Sequence, residues 1–468
     1  MGCKRGIYYL VAMLCWWPLL SSAAENVVSS SQNKALSILR DSIAIRTVEG
    51  YGKVPELAHY LQKQFLAAGF DQQDIQILPV ADTVALVVRY RARPGATQKP
   101  ILLSAHMDVV DALPQDWLRD PYTLIEEDGY FFGRGVADNK FAVSVLSATF
   151  MRLKAEGYQP ARDLILAFSG DEETQMLTTQ ALAIEHRALI DAEYAIVADG
   201  GGGLLSESGE AVSFTIDMAE KTYASFRVTA SNPGGHSSLP RKDNAIYDLA
   251  QALIKLDAFQ FPVMESELTR EFFRQTAPLI DGELGKAMSN FVQGRNKEQA
   301  IKLLRSKPDY VGTLGTTCVA TLLSAGHAEN ALPQSASATI NCRIFPGVGV
   351  EATLDTLKKV MANKALQWQV LDSPKESDAS PMRKEVFDAV ARSIHPYFPD
   401  LPIIPHMASG ASDALHFRAA GIPCYTLSTI FQKSSDEFAH GLNERVAVHN
   451  LPRSMGIWYA LIKDISQE

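Results

Sequence analysis

Pro100-Ile101-Leu102-Leu103-Ser104-Ala105-His106-Met107-Asp108 is an apolar run of strand length that ends on an imidazole and a carboxylate. Two further runs repeat the pattern. Leu164-Ile165-Leu166-Ala167-Phe168-Ser169 leads into Gly170-Asp171-Glu172-Glu173, and Tyr194-Ala195-Ile196-Val197-Ala198 leads into Asp199. In open α/β sheets, ligands bind beyond the carboxyl ends of the strands. A strand-end Asp alone suits a helix N-cap or a turn, and an acidic pair suits a solvated helix start. Three apolar runs that each deliver a ligand-type residue at the same end point instead to a site. Hard imidazole and carboxylate donors gathered there suit zinc or a similar divalent ion. Gly133-Arg134-Gly135-Val136-Ala137-Asp138, between the first two runs, and His440-Gly441-Leu442-Asn443-Glu444, near the C-terminus, add donors of the same kind.

The chain has 468 residues, enough for two or three domains. Hydrophobic content of 47% and charged content of 21% are ordinary for a globular enzyme. The N-terminus is different. Lys4 and Arg5 precede an apolar run from Ile7 to Leu20, and Ser22-Ala23-Ala24 follows. This predicts a cleavable signal peptide over residues 1–24 and a secreted or periplasmic product. The run is short for a membrane span, so none is expected after processing. Removing Lys4 and Arg5 takes the net charge from −9 to about −11. An acidic chain without basic runs excludes nucleic acid and anionic membrane as partners. Cys318, Cys342 and Cys424 remain, too few for a disulfide framework. Buried thiols and a single bridge are both open.

The pattern is helical from Ser29 to Gly69, with Leu57, Leu61, Phe65 and Ala68 on one face. A strand over Val84 to Tyr90 follows, and a helix from Lys140 to Glu156 is stopped by Gly157. This alternation predicts an α/β domain, a mixed, largely parallel sheet sandwiched by helices. Near Ala219 the pattern changes. Tyr223 to Val228 alternates as a half-exposed strand would, a helix runs from Asn244 to Leu256, and strands cover Thr321–Ala325 and Ala336–Ile344. A helix over Ala352–Ala362 and a strand over Gln367–Leu371 complete a βαββαβ order, an α+β ferredoxin-like unit. The boundaries are 25–218 for the first part of the main domain, 219–375 for the interrupting unit and 376–468 for the second part. An insertion at about 261–312 carries helix-like segments, Thr269–Phe273 and Gln299–Leu304. It is either a surface excursion or a substrate-shaping element.

Ser104-Ala105-His106-Met107-Asp108-Val109-Val110, Trp117-Leu118-Arg119-Asp120-Pro121-Tyr122 and Gly133-Arg134-Gly135-Val136-Ala137-Asp138-Asn139-Lys140 resemble the M20 family of di-zinc metallopeptidases. That family includes glutamate carboxypeptidase, aminoacylase-1 and carboxypeptidase S. The resemblance continues through Gly170–Glu173, Asp199-Gly200-Gly201, Gly234-Gly235-His236-Ser237-Ser238 and His440–Glu444, and the insertion resembles the carboxypeptidase S branch.

The resemblance implies a zinc-exopeptidase-like catalytic domain interrupted by a lid that mediates homodimerisation. It implies two zinc ions, with cobalt or manganese as substitutes. Asp138 bridges them, His106 and Asp199 complete one shell, and Glu173 and His440 the other. Asp108 orients His106, two positions back on the same strand face. Glu172 is the general base. For substrate, His236 polarises the scissile carbonyl in the partner subunit's site, Arg343, Gly410 and Ser412 bind the substrate carboxylate, and Asn330 donates to the oxyanion or to that carboxylate.

Asn139 and Phe141 depart from the commoner residues beside the bridging Asp, and Asp111 replaces a frequent proline. Asp199, where the deacylase branches have Glu, favours a carboxypeptidase or dipeptidase reading. The expected reaction is cleavage of an amide bond next to a free α-carboxylate, in a small peptide or an N-acyl amino acid. The alternatives are a di-zinc aminopeptidase and a metal-free binding protein on the same fold.

Overall fold

A computed structural model describes residues 17–467. The signal-peptide expectation rests on residues 1–24, of which 1–16 lie outside the described residues. The first part of the chain forms α1 (Trp17–Ala44), α2 (Val54–Ala67), β1 (Ile75–Val80), β2 (Thr83–Tyr90) and β3 (Ile101–His106). It continues with β4 (Ile125–Glu127), β5 (Tyr130–Phe132), α3 (Lys140–Ala155), β6 (Leu164–Ser169), α4 (Leu177–Ile184), α5 (Arg187–Ile190), β7 (Tyr194–Val197), β8 (Gly202–Leu205) and β9 (Ala211–Glu220). The region expected to be helical from Ser29 to Gly69 is thus two helices. The chain breaks between them where Gly50 and Gly52 take left-handed conformations, which glycine adopts without steric cost. α2 buries Val54, Leu57, Ala58, Leu61 and Phe65, the stripe its spacing predicts.

The middle of the chain forms β10 (Thr222–Ser231), β11 (Gly235–His236), α6 (Ala245–Asp257), α7 (Glu267–Thr276), α8 (Gly282–Gln293), α9 (Lys297–Arg305) and α10 (Pro308–Val311). β12 (Thr317–Ala325), β13 (Ala331–Leu332), β14 (Ser335–Ile344), α11 (Val350–Met361) and β15 (Gln367–Leu371) follow. The last part holds α12 (Lys384–Ile394), β16 (Ile403–Ala408), α13 (Ala414–Ala419), β17 (Cys424–Thr426), β18 (Phe431–Lys433), β19 (Arg445–Ala447) and α14 (Asn450–Ile465).

The main sheet runs β1-β2-β6-β3-β7-β17-β9-β8-β18, with β16 also paired to β9. Its centre, β6-β3-β7-β17, is parallel, and every residue of β3 and β6 is buried. Both faces are covered. Leu103, Leu86 and Leu166 pack with residues of α1, α3 and α14, while Leu102, Ile165 and Val197 pack with Leu182 of α4 and Phe417 of α13. Strands buried on both sides must be apolar throughout, which is why they read as continuous runs rather than alternating ones.

The second sheet runs β12-β14-β10-β15, all antiparallel, with α6 and α11 on one face. That order, with two crossover helices, is the ferredoxin-like topology. Cys318 and Cys342, paired in register across β12 and β14, form a disulfide, and Cys424 is free and buried. The bridge left open by the sequence therefore joins the edge strand to its neighbour.

The insertion is no free excursion. Phe272, Phe273, Met288, Phe291 and Leu304 form a small core that includes Ile404 of β16, so the insertion leaves the lid and packs back on the catalytic sheet. The ring of Phe272 lies 5.3 Å from that of His406.

Candidate metal centre

β6, β3 and β7 are adjacent and parallel, with His106 opposite Ser169 and Ser104 opposite Val197. The segments that follow them, Met107-Asp108, Gly170–Glu173 and Ala198-Asp199, therefore emerge side by side at one edge. Asp138 arrives from the Gly133–Asp138 turn, which a buried carboxylate holds. Glu444 accepts from the backbone N–H of Ala137 (2.7 Å), Asp138 (3.0 Å) and Gly135 (3.1 Å), and from Nη1 of Arg134 (2.7 Å). Gly135 has φ +91°, and a Cβ there would sit 2.9 Å from Val109, so this turn requires glycine. The Asp138–Asn139 peptide bond is cis. Arg134 also donates to the carbonyls of His440 (3.3 Å) and Gly441 (3.2 Å), tying the His440 loop to the same turn.

The side chains converge as follows. Nε2 of His106 lies 2.8 Å from Oδ1 of Asp138 and 3.9 Å from Oδ1 of Asp199. Nε2 of His440 lies 3.1 Å from Oδ2 of Asp138 and 2.9 Å from Oε2 of Glu173. A single carboxylate, Asp138, thus presents one oxygen to each of two imidazoles. Asn139 donates to Asp199 (3.2 Å) and to the Ala198 carbonyl (2.8 Å), fixing the third strand end. Asp108 accepts from the backbone N–H of Glu172 (3.1 Å) and of Glu173 (3.0 Å). Its backbone oxygen lies 3.1 Å, and its carboxylate 3.4 Å, from Nδ1 of His106. It therefore orients two expected ligands, His106 and Glu173, and the expected base Glu172 together.

The electrostatics match the donor set. With protons alone between them, each Nε2 carries the hydrogen that these N···O approaches share. Hydrogen bonds to the carboxylates of Asp138 and Glu173 raise His440 to about 10. Burial opposes charge on His106, yet Asp108 and Asp138 hold its pKa well above the usual value. Burial likewise opposes ionisation of Asp138, but the two imidazoles hold it well below the carboxylate range. A cation in each position would take the protons' place. Two imidazole nitrogens and the carboxylates of Asp138, Glu173 and Asp199 are a donor set suited to two zinc ions. The ligand atoms of His106, Asp138 and Glu173 lie within 4.8 Å of one another, as do those of His106, Glu172 and Asp199. Glu172 is 8% exposed, and burial followed by the Asp199 charge pushes its carboxyl well up.

A family model described as peptidase family M20/M25/M40 matches residues 102–464. The chain belongs to this family. It is 27% identical over 371 residues to the N-fatty-acyl-amino acid synthase/hydrolase PM20D1 of Xenopus tropicalis, across 78% of this chain and 72% of that protein. To the probable carboxypeptidase S-like 2 of Dictyostelium discoideum it is 26% identical over 391 residues, across 78% and 72%. Its fold is that of the M20 family metallo-carboxypeptidase Sso-CP2 from Sulfolobus solfataricus, with a TM-score of 0.66 over 92% of this chain and 98% of that one, at 19% identity. The protein is an M20 hydrolase.

In this M20 hydrolase the expected substrate residues fall into two groups. His236 and Asn330 lie together on the lid, where β11 pairs with β13 and Ser237 N donates to the Asn330 carbonyl (3.0 Å). His236 is exposed, and its Nδ1 accepts from Ser238 N (3.1 Å), so the proton sits on Nε2. Arg343 donates to the Ser409 carbonyl (2.7 Å), which brings it beside Gly410. Ser412 is buried and its hydroxyl donates to Glu220 (2.5 Å), leaving its backbone as the part that can face substrate.

Sequence reasoning assigned no role to four residues that build the site. Glu444 and Arg134 form the clamp described above. Lys140, fully buried and lowered to about 7 by burial, donates to the carbonyls of Ser42 (2.9 Å) and Ile45 (2.8 Å) and closes the end of α1. Asp413 accepts from the hydroxyls of Ser169 and Thr179 and is raised to about 6 by burial, so it joins the last part of the chain to the strand before Glu172. A charge destined for burial looks like any other charge in sequence.

Proposed function

We propose that this chain is a secreted, co-catalytic zinc hydrolase that cleaves an amide bond whose amine side carries a free α-carboxylate. Carboxypeptidase, dipeptidase and N-acyl-amino-acid hydrolase activities all have this form, and the relatives' names span them. The observation that carries the reading is the sharing of Asp138 between His106 and His440, with Glu172 beside them.

Two zinc ions held by His106, Asp199, Glu173, His440 and the shared Asp138 would supply Lewis acidity and a water acidic enough to lose its proton near neutral pH. The rest falls to this chain's own residues. Glu172 takes a proton from the attacking water, whose oxygen bonds to the carbonyl carbon. As the C–N bond breaks, Glu172 passes that proton to the departing nitrogen. Asp108 holds the base and the ligand Glu173 in register through their backbone N–H groups. Arg343 and the Ser409-Gly410 backbone bind the substrate carboxylate, a role that suits a guanidinium with no carboxylate partner among the described residues.

The lid, about residues 219–375, pairs two chains. Its edge strand β12 exposes Val319, Leu322 and Leu323, and α6 exposes Ile246, Tyr247 and Ile254. An apolar edge strand of this kind is a template for pairing. None of the hydrogen bonds of His236 reaches a metal ligand of its own chain, so its Nε2–H is available to a neighbour's scissile carbonyl. Among the described residues no helix is long and apolar enough to cross a membrane.

The test uses zinc-reconstituted protein on dipeptides and N-acyl amino acids, each paired with its C-terminal amide. Hydrolysis confined to the free acids supports the reading. Equal hydrolysis of acid and amide favours the aminopeptidase alternative.

A further inference from the structure

Three levels can be followed along β9. At its C-terminal end, Glu220 is in register with Ala408, and the Ser409–Ser412 loop is fastened there by Lys221 N to the Ala408 carbonyl (3.1 Å) and by Ser412 to Glu220. Midway, Asp217 lies 3.0 Å from where a Cβ on Gly200 would sit, so this level carries the strand end of Asp199. Nearer the start, Ser213 and Thr215, on the same face as Asp217, floor a cavity of about 420 Å³. Thr215 and Glu220 are roughly 17 Å apart at the rise of an extended strand.

The cavity therefore lies on the other side of the metal ligands from the carboxylate loop. Asp138 and Gly200 line it, whereas Arg343, Gly410 and Ser412 do not. A substrate with its carboxylate at Ser409-Gly410 and its scissile bond at Asp138 must place its acyl side here.

The walls decide what that acyl side is. Gly201, Gly202 and Gly203 form one wall as bare backbone. A Cβ on Gly201 would meet the Thr215 carbonyl at 2.5 Å, and one on Gly203 the Phe431 ring at 2.1 Å, so no side chain can be added there. Ser213, Thr215, Ser428, Ser434 and Gln432 supply hydroxyls and an amide. The Gln432 side chain makes no hydrogen bond to the described residues. Leu204 and Ile430 are the large apolar residues of the lining, and Lys433 and Glu437 add charges.

A long alkyl chain in this space would desolvate the Ser213 and Ser434 hydroxyls and the Gln432 amide, while gaining little apolar contact. A peptidyl group brings an N–H and a C=O per residue and satisfies those same groups. Resting on the amide-hydrolase reading above, we infer that this cavity is the acyl-side subsite and that it takes an aminoacyl or short peptidyl group, with Gln432 as a specificity residue, and not a long-chain fatty acyl group.

The experiment compares kcat/KM of the zinc-loaded full chain on N-acetyl-alanyl, N-acetyl and N-lauroyl derivatives of the same amino acid, for leucine, phenylalanine and glutamate in turn. The N-acetyl-alanyl substrate is expected to exceed the N-lauroyl one at least tenfold for whichever amino acid is accepted. Gln432→Leu should lower that value several-fold through KM, and lower it more than the value for the N-acetyl substrate. N-lauroyl substrates hydrolysed as well as or better than the peptidyl ones would overturn the inference, as would a Gln432→Leu variant that lowers both short substrates equally. Hydrolysis of none of the three by protein shown to hold zinc would instead refute the amide-hydrolase reading, and the subsite with it.

Discussion

Replacing Glu444 by glutamine tests how the bridging carboxylate is held. The residue is fully buried, and so is the Arg134 guanidinium it pairs with at 2.7 Å. Glutamine keeps the shape, and its one oxygen can still accept from Ala137 and Asp138. Its NH₂ group, however, faces Arg134 Nη1 and Gly135 N, so donors meet donors. The arginine is left as a buried, uncompensated charge, a change that costs about 3–5 kcal/mol in pairs of this kind. The turn that presents Asp138 loosens with it, and loss of such a supporting partner lowers metal affinity roughly 10- to 100-fold. Urea unfolding of the metal-free protein measures the first quantity, and competition with a zinc chelator the second. The partly exposed i,i+4 pair Arg152–Glu156 is the control, where Glu156→Gln should cost only about 0.3–0.5 kcal/mol. A Glu444→Gln protein that unfolds at the wild-type urea concentration and binds zinc normally would refute the clamp.

Glu172→Ala should keep fold and zinc content while turnover falls roughly 10²- to 10⁴-fold, checked by steady-state kinetics on metal-replete protein. Mixing inactive Glu172→Ala with inactive His236→Ala should recover part of the activity, because one site of the mixed dimer joins an intact base to an intact partner histidine; no recovery, with a monomer by light scattering, would sink the dimer. Replacing Cys318 and Cys342 by serine should destabilise the lid by about 2–4 kcal/mol, read as earlier unfolding matched by wild-type protein in reductant. Lys221, buried beside Arg343 with its ammonium on the Gly315 carbonyl, is lowered to about 8, chiefly by burial. Between that pH and the unfolded lysine value the unfolded chain binds more protons, so unfolding free energy rises with pH. Wild type should therefore gain stability over Lys221→Met, on the order of 3 kcal/mol, between about pH 8 and 10.5, and parallel stability curves for the two would contradict the assignment.

The centre of the fold was readable because its strands are buried on both faces, so His106, Glu172 and Asp199 stood out as polar residues ending apolar runs. The lid was readable from alternation, since β10 turns Ala224, Phe226 and Val228 inward. What failed was one local break and several contacts distant in sequence. The break between α1 and α2 at Gly50 and Gly52 interrupts a stretch that is apolar at helical spacing on both sides. The insertion's docking onto Ile404 joins residues more than a hundred positions apart, and no local pattern encodes it. The pairing of Cys318 with Cys342 followed only once β12 and β14 were in register. Likewise the Ser412 hydroxyl is taken by Glu220, a buried acid nearly two hundred positions away.

Asp138 is expected to join two metal positions through one carboxylate. Zinc content per chain, measured by mass spectrometry on wild type, Asp138→Ala and His440→Ala after reconstitution and desalting, tests it most directly. The geometry predicts two ions in wild type, loss of both in Asp138→Ala and loss of mainly one in His440→Ala. A single ion in wild type, or the same one-ion loss in both variants, would contradict it.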